Sequence, residues 1–211
     1  MQKIPYPLLL FFFFSCSDTA HQTDDAFISP KPSIDYAVET DSDLSPNPYA
    51  RVGEIPLPKG YTRVSAAPGT YGSFLRNIKL KSNKTVYLYN GSPKRYQGSQ
   101  FAVLDISVQN RDLQQCADAV MRLRAEYFYG KKQYDKILFI DNENGQYRFK
   151  SPYTRSNFDK YLLRVFGMCG SASLSKQMRS QNWSNLKIGD VLIKGGFPGH
   201  AVTIMDVAEN S

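Results

Sequence analysis

Two residues of this chain have the chemistry and placement of a nucleophile and its base. Cys116 falls where an amphipathic stretch begins, in RDLQQCADAVMRL, and His200 opens the apolar run HAVTIMDV. Unpaired N–H groups and the helix dipole at a helix start favour a thiolate by about 0.3 to 1 kcal/mol, and a neighbouring imidazolium lowers the thiol pKa further. Such a thiolate attacks an amide or ester carbonyl, after which the histidine protonates the leaving group. Plain packing competes with this chemistry. Cys116 shares a helical stripe with Val120 and Leu123, and a free cysteine is often only a small core residue. A histidine beside apolar residues is more often a satisfied core side chain than a base. Cys169 continues the apolar period of Leu162, Val165 and Phe166 and reads as core.

The elements that must position these residues follow from pattern. Asp112 with Gln115 three residues on is a capping signature, and Leu113, Cys116, Val120, Leu123 and Tyr127 follow at helical spacing, with Gly130 as the stop. A second helix is expected from Ser156, with Asp159 in the capping position and Phe158, Tyr161, Leu162, Val165 and Phe166 on one face; Gly167 and Gly170 close it. Strands are expected at 86–89 and 101–108, and a hairpin at 137–140 and 146–149 around Asp-Asn-Glu-Asn-Gly. A last hairpin runs from 190 to 194, through the loop 195–199, and back along 200–207. The two-residue strand period places His200, Val202 and Ile204 on one face, at the rim of a core.

The amino terminus reads as an export signal. Lys3, seven apolar residues from Leu8 to Phe14, the small Ser15 and then Cys16 form the pattern of a bacterial lipoprotein signal over residues 1–15, with acylation of Cys16 as the membrane anchor. Seven apolar residues are too few for a permanent span, which needs roughly 20. Residues 16–50 are rich in Ser, Thr, Asp and Pro and read as a flexible acidic tether, and the folded domain is expected over 51–211. Without Cys16, Cys116 and Cys169 remain, an even pair for which either a disulfide or free thiols stand open.

The net charge of +7 conceals an asymmetry. Residues 16–49 hold seven acids against Lys31 alone, whereas from Arg51 onward 24 Lys and Arg face 12 acids. Basic residues are scattered rather than clustered, so anionic envelope polymers are a better match than nucleic acid. No metal-ligand spacing occurs, and no metal or other cofactor is expected.

From about Ile55 onward, LDISVQNRDLQQCADAVMRLRAEYFY, SLSKQM and IGDVLIKGGFPGHAVTIMDVAEN resemble the bacterial lipoproteins grouped as domain of unknown function 4846. That resemblance implies a further strand after the segment ending at Asn210, so the domain is expected to lack its C-terminal strand segment. More distantly, CADAVMRL and GDVLI with GHAVTIMD resemble the NlpC-type cell-wall peptidases. This second resemblance implies a papain-like α+β fold with a helix packed on an antiparallel sheet, Cys116 as nucleophile, His200 as base, and Gly195, Gly196 and Gly199 bordering the cleft. Ala117 stands where those peptidases commonly carry serine or glycine. The expected function is therefore an envelope-anchored cysteine hydrolase acting on amide bonds of peptidoglycan or a related polymer. The alternative is a non-catalytic lipoprotein that binds a glycan, a peptide or an envelope protein through the same cleft.

Overall fold

The computed structural model describes residues 45–108 and 111–210 together with the backbone of Leu8–Leu9. Cys16 and nearly all of the expected signal and tether lie outside the described residues. Among the described residues four α-helices and seven short strands follow one another, an α+β architecture. Strand β1 is Leu8–Leu9, β2 Tyr61–Arg63, β3 Leu138–Ile140, β4 Gln146–Arg148, β5 Val191–Lys194, β6 His200–Thr203 and β7 Val207–Asn210. Helix α1 is Tyr71–Arg76, α2 Cys116–Gly130, α3 Arg155–Met168 and α4 Ser171–Lys176. The strands form three small antiparallel sheets, ordered β1-β7-β2, β3-β4 and β5-β6, rather than one continuous sheet.

Helix α2 is the wall between two hydrophobic clusters. Val120 and Met121 pack into one with Phe139, Phe149, Phe158, Leu162, Leu174 and Ala201. Leu123 packs into the other with Val52, Ile55, Leu75, Leu80, Leu104 and Met205. Each large apolar side chain fully removed from water in this way contributes about 1.5 to 3 kcal/mol. The abundant aromatics mostly serve the first cluster: Tyr129 stacks on Phe158 at 4.4 Å between centroids, Tyr134 on Tyr153 at 4.1 Å, and Phe149 meets Phe158 edge-on at 5.3 Å.

Several boundaries differ from expectation. Helix α2 begins at Cys116 and not near Asp112, because its capping box is Gln115 with Asp118: the Gln115 N–H donates to Asp118 Oδ2 at 2.9 Å. The preceding segment runs beside the helix, held by Arg122, whose Nη1 donates to the Ser107 carbonyl and to Gln114 Oε1. Helix α3 starts one residue before the expected Ser156. Thr154 caps it by accepting from Asn157 N–H at 3.2 Å, while Asp159 pairs with Arg155 at 2.8 Å. Gly167 lies inside α3, which runs to Met168.

Residues 86–89 and 101–108 form only isolated bridges, Tyr87 with Pro93 and Leu80 with Leu104. The second segment bonds through backbone alone, Lys81 N–H to the Val103 carbonyl and Asp105 N–H to the Lys79 carbonyl, both at 2.8 Å, and beside the first the backbone is also satisfied by side chains. The Gln97 carboxamide accepts from Val86 N–H at 2.9 Å and donates to Val86 O at 3.0 Å, and Gln100 donates to Lys84 O at 3.0 Å. The 137–149 hairpin forms as expected around Asp141, which accepts from Glu143 N–H at 2.9 Å and Gly145 N–H at 2.7 Å.

The expected strand 200–207 is broken. β6 ends at Thr203, and after Ile204, Met205 and Asp206 the chain enters a different sheet as β7. Asp206, with no exposed surface, fixes this break: Arg63 Nε reaches Oδ2 at 2.5 Å and Arg76 reaches Oδ1 at 2.6 Å. The same arginines also donate to the carbonyls of Ile55 and Val64, both at 2.5 Å.

Candidate functional site

Cys116 is the first residue of α2 and is half-buried. Its helix packs directly on β6, the strand that His200 opens, and the residues immediately after each, Ala117 and Ala201, belong to the same buried cluster. Small side chains at both positions let the helix lie close to the strand. The inward-facing set of β6 is nevertheless Ala201 and Thr203, 3% and 6% exposed, whereas His200 is exposed and Val202 half-buried. This corrects the expectation that His200, Val202 and Ile204 form the core-side set. The alternation is set by what α2 can accommodate beneath it, which is alanine. Ile204 is buried because the chain has already left the strand.

One turn into α2 lies Asp118, 6% exposed. Burial lifts its carboxyl to about 7, opposed by the Gln115 N–H and reinforced by the Cys116 thiol close by. Asp118 is therefore a capping acid that is largely neutral below neutral pH, and its ionised form opposes a thiolate at Cys116. Cys169 caps the C-terminal end of α3 and is 5% exposed. Burial, with Asp141 and Asp118 adding to it, pushes its thiol up to about 11. Both cysteines are free thiols.

Gly195, Gly196 and Gly199 form the loop between β5 and β6, and α4 explains their identity. A Cβ on Gly195 would collide with the Ser175 hydroxyl, and one on Gly199 with the Ser171 hydroxyl and, at 2.5 Å, with the Gly196 carbonyl. Gly196 has φ +131°, a conformation that favours glycine, and its carbonyl accepts from Ser171 Oγ at 3.2 Å. The motif SLSKQM spans residues 173–178. It is the second half of α4 and its exit: Ser175, together with Ser171 at the helix start, seats the glycine loop, and Gln177 bonds both Ile140 N–H at 3.1 Å and Ile140 O at 2.9 Å, as an extra rung on β3.

A cleft of about 860 Å³ opens between α2, β5, the end of α4 and the segment 178–186. Val120, Met121 and Leu192 lie along its apolar side, with Arg124, Arg179 and Trp183 among its polar and aromatic lining. Neither Cys116 nor His200 lines it. Its link to the pair is Val120, one helical turn further along α2 from Cys116. Nothing local in the sequence signals this cleft, since its walls come from residues between 71 and 193. Among the described residues no group of three or more His, Cys, Asp or Glu side chains is arranged to hold a metal ion, and no helix is long and apolar enough to cross a membrane.

Comparison with known proteins found no match among curated proteins and none among solved structures. A family model matches residues 52–151 and 140–211, which together take in α1 to α4 and β2 to β7. The chain belongs to the family described as Domain of unknown function (4846).

Proposed function

We propose that this protein is an envelope lipoprotein, anchored through Cys16, whose domain acts as a papain-like cysteine hydrolase on amide bonds of peptidoglycan or a related polymer. The observation that carries the reading is the thiol at the first residue of α2, on a helix packed against the strand that His200 opens. The Cys116 proton passes to His200, Sγ bonds to the amide carbonyl carbon, and the C–N bond breaks as the imidazolium returns a proton to the leaving amine. Water then cleaves the thioester, giving a carboxylate and the free thiol. The glycine loop seated on α4 holds the start of β6, and so His200, at a fixed place. In the test, purified peptidoglycan is incubated with the protein and released amino groups are counted. The expected result is release by the native chain and none by Cys116→Ala or His200→Ala; equal release by all three would remove the pair from the chemistry.

A second reading, a binding module without chemistry, is favoured by one specific observation: the cleft between α2 and β5 does not include Cys116 or His200. It predicts that all three proteins leave the polymer uncut.

A further inference from the structure

The cleft between α2 and β5 is built for a particular kind of ligand. Trp183 stands on its rim and is 65% exposed. An indole left open to water offers a flat apolar surface suited to the C–H face of a pyranose ring. The neighbouring Gln181 and Asn182 also line the cleft and carry amides that both donate and accept, matching ring hydroxyls.

Charge selects further. Arg124 and Arg179 are exposed, and among the described residues neither has a carboxylate partner, although Arg63, Arg76, Arg122 and Arg155 all do. Arg124 lies over the Phe128 ring at 4.8 Å, which orders the guanidinium and leaves its N–H edges free to donate. The acid among the lining residues, Asp190, already accepts the Lys187 N–H at 2.8 Å. Two guanidinium groups lining a cleft whose one acid is already engaged call for a carboxylate, which a guanidinium matches in geometry as well as in charge.

We propose that this cleft binds a carboxylate-bearing oligosaccharide, with a sugar ring stacked on Trp183 and its carboxylate held by Arg124 and Arg179. The proposal does not depend on thiol chemistry, and binding is expected to persist in Cys116→Ala.

Trp183 is the chain's one tryptophan, so its fluorescence reports on the cleft directly. The full chain is titrated with a glucuronic-acid hexasaccharide and, separately, with the same oligosaccharide after its carboxyl groups have been reduced to alcohols. A saturable blue shift is expected with the acidic sugar. The reduced sugar, and the acidic sugar on Arg124→Ala or Arg179→Ala, should each bind about tenfold more weakly or worse. Both arginines are exposed, so these variants should fold, and circular dichroism spectra matching the native chain would verify it. Absence of saturation at millimolar concentration with either sugar would overturn the site. Equal affinity for the two sugars, or affinity unchanged in both arginine variants, would overturn the carboxylate assignment. Loss of amide cleavage in Cys116→Ala with sugar binding intact would separate this site from the hydrolase reading.

Discussion

Asp118 sits two residues after Cys116 and couples the helix start to pH. Folded, its carboxyl titrates near 7; unfolded, near its ordinary 3.8. A raised acid pKa means that the folded state holds the proton more tightly, so its stabilising contribution is complete below about pH 4 and is lost as pH rises towards 7. The slope over that window is at most about 1.4 kcal/mol per pH unit. In Asp118→Asn the side-chain oxygen can still accept the Gln115 N–H but carries no charge. Thermal melts from pH 4 to 8 should therefore show a flatter profile for the variant and greater stability than the native chain at pH 8; parallel profiles would contradict this account of Asp118. At this scale the sequence was informative about identity more than orientation. Cys116 at a helix start was legible from the stripe and the capping spacing, even with the box displaced by one turn. The exposure of His200 was not, because a period of two gives two faces and only the partner helix decides which is inward.

Asp206 governs where one strand ends and another sheet begins. Its carboxylate holds two guanidinium groups that also tie down the Ile55 and Val64 carbonyls, so a single acid joins β2, α1 and the β6–β7 junction. Breaking a buried charge cluster by removing one partner typically costs 3 to 5 kcal/mol. Arg63 and Arg76 keep 26% and 14% of their side-chain surface in water, which places Asp206→Asn near the lower end, at about 3 kcal/mol. The urea midpoint should fall accordingly, and a midpoint within experimental error of the native chain would show that the triad contributes little. The α2, α3 and 137–149 elements were readable because apolar period and turn residues agree in each. Strands at 86–89 and 101–108 do not form because each segment pairs only briefly, 86–88 with the Gln97 carboxamide and with residues 92–94, and 103–105 with residues 79–81. Helix α4 was missed because six residues rich in serine carry almost no period. Its role appears only when Gly195 and Gly199 are seen against it.

At the scale of the molecule, the acidic segment 16–49 precedes a strongly basic domain, and the anchoring reading rests on Cys16. Acyl chains on Cys16 would contribute about 0.8 kcal/mol per buried CH₂ to membrane binding. Cys16→Ala should move the protein from the detergent phase to the soluble envelope fraction, and unchanged partitioning would rule out lipid as the sole anchor. The α+β class was legible from the alternation of periods. The division into three small sheets was not, since strand pairing is set by long-range contacts such as the one between 61–63 and 208–210. The cleft was invisible for the same reason.

The most direct measurement is the rate at which iodoacetamide labels each thiol at about pH 6.5. Cys169, lifted to about 11, then stays almost wholly protonated and should label slowly. If His200 stabilises a thiolate at Cys116, that residue should label at least about tenfold faster than an ordinary exposed thiol such as free cysteine, and His200→Ala should bring its rate down to that of the ordinary thiol or below. Equally slow labelling of both thiols in the native chain, or fast labelling of Cys116 that persists in His200→Ala, would contradict the assignment of nucleophile and base.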